Sequence, residues 1–465
     1  MNSNSRLASL RKAIARTTRE IFSLIDKRLS LVREVSEEKE KEDISVINRD
    51  VEAHLQNNVI EICSARDLDA RFALRILNQL IQESVRVQME RNPVNSPPSV
   101  ADIFSKARSM NNAGKHILHL EVGEPDFGPP NQARRRLMKA LSRGDVGYTE
   151  SQGILPLRRK IADAFNQRYS RQISADEVIV TAGGRLALFL AVSSVVQTGD
   201  EVIILEPSYP AYSRFVTEVG GRPVYLSTEL EDSWEPEMSE LEQQINPATK
   251  AIILNSPSNP TGKVLDESVF RRIVGLANDH DIFVLSDEVY SRFTQSHHTS
   301  ILEHPNCRYV CVQSFSKTYG MTGFRLGFAI SNIKTINMMA KLQGMLLTSV
   351  PEFVQYSGLG ALDSEDEVKY NVEVIESRSK AMNGLLKELP VSFYPRDGGF
   401  YFFPRFQNEE LDSVDFAEHL LEEKGVCIVP GTIYGRRYSS FFRIALCQEK
   451  QVLIEAVRRI GEMLG

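Results

Sequence analysis

The first 92 residues contain neither glycine nor proline, although the whole chain of 465 residues has 27 glycines and 20 prolines. Glycine and proline are the residues that most often end helices, so a stretch without them is predicted to be helical. The five cysteines are scattered and lack the C-x-x-C spacing of zinc and thioredoxin-like sites. This pattern predicts reduced thiols and no metal site.

Long apolar runs and an excess of positive charge are absent too. No segment approaches the roughly 18 apolar residues that a membrane-spanning helix needs, and the N-terminus lacks the apolar core of a secretory signal. The net charge of −6 provides no basic field that would attract nucleic acid or an acidic membrane. The sequence therefore predicts a cytoplasmic protein whose partners are small molecules, with neither nucleic acid nor membrane among them.

The chain is predicted to consist of two parts joined by a linker. Prolines at positions 93, 97 and 98 interrupt the helical pattern, which places a helical domain at residues 1–92 and a linker at 93–100. From 101 to 465, short β-branched runs alternate with helical stretches, which is typical of a parallel sheet covered by helices on both faces. The runs begin at Val178, Val202, Ala251, Ile282 and Tyr309. An α/β fold is predicted for this second part.

Polar residues follow each of these runs. Ligands bind at the carboxyl ends of the strands in an open α/β sheet, so these residues are candidates for a site. A Gly-Gly pair that opens a helix also exposes main-chain N–H groups suited to a phosphate. Taken singly, each feature is explained at least as well by a tight turn, a helix N-cap or a solvent-exposed lysine. The candidates are Gly183, Gly184, Arg185, Tyr209, Asn259, Asp287, Tyr290, Ser314, Lys317 and Arg325.

In this order, the motifs resemble those of the class I and II aminotransferases. An SFSK run ends at Lys317, Arg325 follows eight residues later, and an NPTG motif at Asn259 and a DEVY motif at Asp287 precede them. The resemblance implies the fold type I of pyridoxal-phosphate enzymes, with a large domain built on a parallel or mixed sheet and a smaller α+β domain. The implied bounds are about 145–350 for the large domain, and 101–144 with 351–465 for the small one.

The resemblance implies a role for each residue around the cofactor ring. Lys317 would bind pyridoxal 5′-phosphate covalently and move the proton of the substrate α-carbon. Asp287 would keep the pyridine nitrogen protonated, which makes the ring an electron sink. Tyr209 would stack on the ring, and Tyr290 and Asn259 would bond to its phenolic oxygen.

Phosphate and substrate sites are implied in the same way. The phosphate site would consist of the helix start at Gly183, Gly184 and Arg185, the side chains of Ser314 and Arg325, and Tyr148 from the second subunit of a homodimer. Arg443 would bind the substrate α-carboxylate in a bidentate pair, with Gly123 and Asn259 beside it. In a branch of the family that uses dicarboxylic substrates, a lysine follows the Gly-Gly pair. Arg185 stands there in this chain, where it either binds a second carboxylate or faces solvent.

The helical part carries a positive charge within an apolar row. The row follows the 3-4 spacing of one helix face and comprises Leu10, Ile14, Thr17, Ile21, Leu24, Leu31 and Val35. Arg28 falls in this row, and a buried guanidinium is costly without a partner, so a protein carboxylate or an anionic ligand is predicted to meet it. Lys39 lies three turns further on, and Ser84 and Gln88 stand one turn apart on another helix. A helical oligomerisation arm with ordinary ion pairs explains the same spacing.

Residues 6–92 also resemble the all-helical chorismate mutases. The matching positions are Arg11, Arg28, Lys39, Glu52, Ser84 and Gln88. The resemblance implies two intertwined chains, with Arg11 crossing into the partner's site and with the cations and Ser84 holding the substrate carboxylates. Lys39 and Gln88 would stabilise charge on the ether oxygen, and Glu52 would orient the ring hydroxyl.

Together the two parts predict a bifunctional enzyme of aromatic amino acid biosynthesis. It would convert chorismate to prephenate and then transaminate prephenate, phenylpyruvate or 4-hydroxyphenylpyruvate, with glutamate or aspartate as donor. Asn48 and Val51 depart from the mutase pattern, which usually has aspartate and arginine there, so weak substrate binding is predicted. An alternative keeps the aminotransferase and makes residues 1–92 a non-catalytic dimerisation or sensing domain. A transcription regulator is disfavoured, because 16 Lys+Arg against 15 Asp+Glu in residues 1–92 leave no basic excess for DNA binding.

Overall fold

The computed structural model describes residues 3–42, 48–91, 100–295 and 297–465. The chain divides into two compact units, Met1–Ser96 and Pro97–Gly465. The predicted linker at 93–100 lies outside the described residues except for Val100, where a helix begins. The large and small domain bounds within the second unit stay a prediction.

Three helices form the described part of the first unit, as the lack of glycine and proline predicts. They are α1 (Ser3–Lys41), α2 (Arg49–Arg66) and α3 (Ala70–Arg91). Asn48 caps α2, since its side chain accepts a hydrogen bond from the main-chain N–H of Val51 at 3.2 Å. Helix α3 is amphipathic and buries Leu74, Leu77 and Ile81, which share one face. It packs against both α1 and α2.

The second unit alternates strands and helices. Its strands are β1 (Leu118–His119), β2 (Val178–Thr181), β3 (Glu201–Glu206), β4 (Arg222–Ser227), β5 (Thr249–Asn255), β6 (Phe283–Asp287), β7 (Arg308–Ser314), β8 (Gly327–Ser331), β9 (Val391–Ser392), β10 (Tyr401–Phe402), β11 (Arg405–Phe406), β12 (Val426–Cys427), β13 (Val429–Pro430) and β14 (Phe442–Ala445). Its helices are α4 (Val100–Asn112), α5 (Asn131–Arg143), α6 (Leu155–Tyr169), α7 (Gly184–Val195), α8 (Ala211–Glu218), α9 (Met238–Gln244), α10 (Glu267–Asp279), α11 (Phe315–Thr318), α12 (Ile333–Leu347), α13 (Glu352–Ala361), α14 (Glu365–Leu386), α15 (Ser413–Lys424) and α16 (Lys450–Leu464).

A seven-stranded mixed sheet is the centre of this unit. Its order is β2-β8-β7-β6-β5-β3-β4. The strands from β7 to β4 are parallel, and β8 is antiparallel to both of its neighbours. The predicted α/β fold with a parallel or mixed sheet is confirmed, and β8 is the strand that makes the sheet mixed.

Helices cover both faces of the sheet. Along β2, Ile179 packs in one apolar cluster with α7, whereas Val178 and Val180 pack in a second cluster with α6. Successive side chains of a strand point to opposite faces, so a strand buried on both sides is apolar at every position. This burial explains the continuous β-branched runs in the sequence.

Two smaller sheets position the rest of the cavity described below. Strand β1 pairs with β12, and β14 lies between β10 and β13. The main-chain N–H of Ala445 in β14 donates to the carbonyl of Leu120 at 2.9 Å, which ties β14 to the segment that follows β1. Within the described chain, every helix is too short or too polar to cross a lipid bilayer.

Candidate active sites

A cavity of about 530 Å³ opens at the carboxyl ends of the sheet strands. Its lining includes the predicted residues Gly123, Gly184, Arg185, Tyr209, Asn259, Asp287, Tyr290, Ser314, Lys317, Arg325 and Arg443. Gly183 directly precedes this lining at the start of α7. Residues that are far apart in the sequence thus meet around one space.

Asp287, the last residue of β6, is a buried carboxylate in this cavity. Its Oδ2 accepts a hydrogen bond from the hydroxyl of Tyr212 at 2.6 Å, and its Oδ1 accepts one from the main-chain N–H of Val289 at 3.4 Å. Burial raises the pKa of Asp287 to about 6, because loss of water disfavours the charged form. No basic side chain among the described residues forms an ion pair with it. A cationic group bound in the cavity would stabilise its charge.

Lys317 lies in the short helix α11, immediately after β7. Its Nζ donates to the main-chain carbonyl of Gly123 at 2.5 Å and lies 5.9 Å from the ring centroid of Phe400. Burial lowers the pKa of Lys317, and the Arg443 guanidinium acts in the same direction. A lysine with a lowered pKa is more often neutral, which suits it to act as a nucleophile or to take a proton.

Arg443 of β14 is a buried guanidinium with neutral partners. Its Nη1 donates to Oδ1 of Asn259 at 3.0 Å, and its Nη2 donates to the main-chain carbonyl of Glu121. The guanidinium lies 4.4 Å from the ring centroid of Tyr401. Its Nε is buried without a hydrogen-bond partner among the described residues. A buried arginine with no acid beside it is suited to bind a carboxylate ligand.

At one end of the cavity, the glycines that precede and begin α7 allow Ser314 and Arg325 to approach the main chain closely. Gly183 has a φ of +86°, and a Cβ there would lie 2.5 Å from Nη2 of Arg325. A Cβ on Gly184 would lie 3.2 Å from Cβ of Ser314. Helix α7 begins here without a side-chain cap, so its first main-chain N–H groups are left for an anion.

Arg185 and Tyr148 are both exposed, but only one of them reaches the cavity. Arg185 lies in the first turn of α7, lines the cavity, and forms no hydrogen bond or ion pair with the described residues. Tyr148 is 90% exposed and lies outside the cavity of its own chain. Its predicted contribution from a second subunit stays a prediction.

Sequence reasoning missed several residues of the cavity. Tyr212 bonds Asp287 across 75 positions, and Tyr401 lies against Gly123, where a Cβ would be 1.9 Å from its hydroxyl oxygen. The hydroxyl oxygens of Tyr401 and Tyr290 are 3.1 Å apart. The available signal for Tyr212 was its place one turn after the predicted Tyr209. Tyr401 stands in an aromatic run that gave no such signal.

In the first unit, Arg28 of α1 contacts α3. Its Nη1 donates to the main-chain carbonyl of Leu80 at 2.9 Å and to the hydroxyl of Ser84. Burial lowers the pKa of Arg28, and no carboxylate pairs with it in the described part of the chain. Gln88 lies one turn beyond Ser84 and is buried, with an Oε1 that has no hydrogen-bond partner there. Lys39 and Glu52 are half-buried on α1 and α2.

The structure corrects the predicted surroundings of Arg28. The residues of the apolar row are exposed in the single chain, Leu24 to 66%. Arg28 lies on the border of this row and faces α3 instead of lying among apolar side chains. The 3-4 spacing identified residues on a common face but could not show what covers that face. Arg11 is exposed on the same helix.

Comparison with known proteins assigns both units. The family model of aminotransferase class I and II matches residues 115–460, and the model of chorismate mutase type II matches residues 10–89. The chain is 34% identical over 371 residues to a (5-formylfuran-3-yl)methyl phosphate transaminase of Methanocaldococcus jannaschii, covering 79% of this chain and 96% of that protein. It is 33% identical over 371 residues to an aspartate aminotransferase of Pyrococcus horikoshii, covering 78% and 94%.

A solved structure agrees with these matches. The aspartate aminotransferase of Thermotoga maritima superposes with a TM-score of 0.76 at 33% identity, over 79% of this chain and 97% of that one. Both resemblances predicted from the sequence motifs are confirmed. The chain therefore belongs to the class I and II aminotransferases, enzymes whose fold is of the pyridoxal-phosphate-dependent type, and carries a chorismate mutase type II region ahead of it.

Proposed function

We propose that the chain is a bifunctional enzyme of aromatic amino acid biosynthesis. The first unit rearranges chorismate to prephenate, and the second transaminates prephenate, phenylpyruvate or 4-hydroxyphenylpyruvate with glutamate or aspartate as donor. The observation that carries the second activity is the buried Asp287 carboxylate, which shares one cavity with Lys317 and Arg443 and lacks a cationic partner among the described residues. The presence of both units in one chain supports consecutive steps.

The cavity fits pyridoxal 5′-phosphate. Asp287 supplies the anion that a protonated pyridine nitrogen needs, and the uncapped start of α7 with Ser314 and Arg325 offers donors for a phosphate. Tyr209 offers an aromatic face, and Tyr290 and Asn259 complete the proposed set. When bound, the cofactor supplies an electron sink for the bond to the substrate α-carbon.

The chain's own groups then handle the proton and the carboxylate. Lys317, whose pKa burial lowers, accepts the α-proton as a neutral amine and returns it. Arg443 binds the α-carboxylate through its unpartnered Nε and the neighbouring Nη groups, with the Gly123 main chain alongside. Phe104 of α4 also lines the cavity and offers an apolar contact to an aromatic side chain.

Tyr212→Phe is expected to shift the pH dependence of cofactor binding. The Tyr212 hydroxyl stabilises charged Asp287, so its loss raises the pKa of Asp287 above the value of about 6. As the pH is lowered, the variant therefore loses cofactor affinity earlier than wild type does, with a midpoint about one pH unit higher. Absorbance titrations of the cofactor-free protein at several pH values measure the midpoint. Tyr209→Phe, which removes no bond to Asp287, is the control, and equal midpoints in all three proteins would refute this role for Tyr212.

Arg185→Leu is expected to change substrate preference. An exposed guanidinium that lines the cavity without a partner can bind a second carboxylate, on glutamate, aspartate or prephenate. Its loss should raise KM for dicarboxylic substrates by about tenfold or more and spare neutral aromatic ones. Steady-state kinetics with both classes give the answer. Arg325→Leu serves as a control that weakens cofactor binding instead, and equal losses for both classes would show that Arg185 only supports the start of α7.

The proposed mutase site consists of electrostatic contacts alone. Arg28 has no acidic partner among the described residues, it donates to Ser84, and buried Gln88 lies one turn beyond Ser84 on α3, which suits a dianionic substrate. Arg11 of a second copy, Lys39 and Glu52 complete the set that the family resemblance implies. A pericyclic rearrangement needs no nucleophile, so oriented charge and hydrogen bonds are sufficient for catalysis.

Both proposed sites need a second copy of the chain, and we expect a homodimer. The exposed apolar row of α1 includes Leu10, Ile14, Ile21, Leu24, Leu31 and Val35, and Tyr148 is exposed in the second unit. Contiguous apolar surface of this kind marks an interface. Sedimentation velocity should give a mass of two chains. A fully active protein that sediments as a monomer would refute the proposal that residues cross between copies.

An alternative makes the first unit a dimerisation or sensing domain. Val51, where chorismate mutases usually have arginine, is 55% exposed on α2 and supports it. Purified protein assayed for prephenate formation, and for glutamate-dependent amination of three keto acids, tests both activities. Val51→Arg should lower KM for chorismate if the mutase site is active. Absence of prephenate formation in both wild type and Val51→Arg would favour the alternative and leave the aminotransferase proposal standing.

A further inference from the structure

The end of β1 and the segment that follows it carry two ionisable side chains without a role so far, His119 and Glu121. Glu121 is fully buried, and its Oε1 accepts a hydrogen bond from Nδ1 of His119 at 2.8 Å. Its Oε2 is also buried without a nitrogen or oxygen partner among the described residues, although the carboxylate lies near the Cys427 thiol, whose pKa is raised by burial and by this carboxylate. A buried carboxylate with one unpaired oxygen costs free energy. This cost falls on a residue that lines the aminotransferase cavity.

Asn111 of α4 fixes the orientation of His119. Its Oδ1 accepts from the main-chain N–H of Ile117 at 3.0 Å, which sets the side-chain amide. Its Nδ2 lies 2.7 Å from Nε2 of His119 and therefore donates to it. The ring can then donate only through Nδ1, to Glu121. Asn111 of α4 thus donates to His119, and His119 donates to Glu121.

The main chain of the same segment binds two of the basic side chains that line the cavity. The carbonyl of Glu121 accepts from Nη2 of Arg443, and the carbonyl of Gly123 accepts from Nζ of Lys317. No side chain fits at Gly123, because a Cβ would lie 1.9 Å from the hydroxyl oxygen of Tyr401. The main-chain position of residues 121–123 therefore helps to orient the side chains of Arg443 and Lys317.

We infer that His119 and Glu121 are a positioning pair for Arg443. The pair anchors the Glu121 side chain, which fixes the carbonyl of that residue and, through it, the guanidinium that binds the substrate α-carboxylate. Neither side chain contacts substrate. The inference rests on the proposed role of Arg443 and adds how that arginine is oriented.

The test is Glu121→Leu, read out by kinetics and by melting temperature together. KM for the amino donor and for the keto acid should each rise about tenfold, because a charged hydrogen bond is misplaced. The melting temperature should not fall, since replacing a poorly satisfied buried charge with an apolar group of similar size is often neutral or stabilising. Glu121→Gln keeps an acceptor for the N–H of His119 and should keep KM within about threefold of wild type. Every amino donor has an α-carboxylate, so the donor that wild type uses fastest is the one to test.

Two controls separate the possible failures. Glu201 is a buried carboxylate that pairs with Arg222 at 2.6 Å away from the cavity, so Glu201→Leu should lower the melting temperature without changing KM. Arg443→Leu should raise KM more than Glu121→Leu does, and an unchanged KM there would refute the proposed role of Arg443 itself. If Arg443→Leu raises KM but Glu121→Leu leaves it within about twofold, the positioning role is wrong. The positioning role would also be wrong if Glu121→Leu lowered the melting temperature as much as Glu201→Leu does and Glu121→Gln restored neither the melting temperature nor KM. Glu121 would then have only a structural role.

Discussion

Lys317→Ala should reduce amino transfer by about ten-thousandfold and leave a folded protein. Lys317 is the partly buried lysine of the cavity, loss of water lowers its pKa, and its Nζ donates to the carbonyl of Gly123 and lies 5.9 Å from the ring centroid of Phe400. No other side chain in the described lining offers an amine, so the loss of the nucleophile and of the proton acceptor coincide. The measurement is the rate of keto acid formation from glutamate.

The control for this variant is Lys263→Ala. Lys263 is also buried, but it pairs with Glu235 at 2.8 Å and Asp266 at 3.3 Å. Its removal should lower the melting temperature and keep turnover within about threefold of wild type. Wild type with cofactor should also show a visible absorption band that borohydride abolishes. Persistence of that band after borohydride, or covalent cofactor in Lys317→Ala, would contradict the assignment.

Arg28→Leu should lower prephenate formation by about a hundredfold to a thousandfold without destabilising the first unit. The guanidinium is partly buried, bonds only Ser84 and the carbonyl of Leu80 in the described chain, and has no carboxylate there to strand. Replacing Arg28 with leucine therefore removes a partly buried charge and leaves no carboxylate of the described chain unpaired. Amino transfer by the same sample should be unchanged, which gives an internal measure of folded enzyme.

Arg16→Leu is a matched control on the same helix. Arg16 forms a solvent-exposed pair with Glu20 at 3.6 Å, so its loss should affect neither prephenate formation nor stability. A structural arm predicts the opposite outcome for Arg28, since a carboxylate of a second copy would then be stranded at a cost of about 3 to 5 kcal/mol. A lower melting temperature with unchanged catalysis would therefore refute the mutase role of Arg28.

The sequence predicted those parts of the fold that depend on local pattern. The runs at β2, β3, β5, β6 and β7 are apolar at nearly every position because both faces are covered, and this is visible without a structure. Two strands of the same sheet were missed. Strand β4 contains Pro223 and lies at an edge, and β8 begins at Gly327, so neither has the composition of a central strand. The antiparallel direction of β8 has no signature in composition.

The residues of the candidate sites also fall into those that the sequence predicted and those that it could not. The rule that ligands bind at strand ends, together with the family resemblance, identified 11 of the 24 residues that line the cavity, and their individual roles stay predictions. Tyr212 and Glu121 could not be found, because their contacts depend on folding that joins distant segments. Arg28 was placed on the correct helix but beside the wrong neighbours, since periodicity specifies a face and not its partner.

We expect the exposed apolar row of α1 to make the first unit sensitive to dilution. A helix of 39 residues is about 58 Å long, and its outward face includes several large apolar side chains. If a second copy covers this face, folding of the unit is bimolecular, and its melting temperature rises with protein concentration. Specific mutase activity should then fall on dilution below the dissociation constant of the pair. The amount of the protein in a cell would thus set the fraction of chains able to rearrange chorismate.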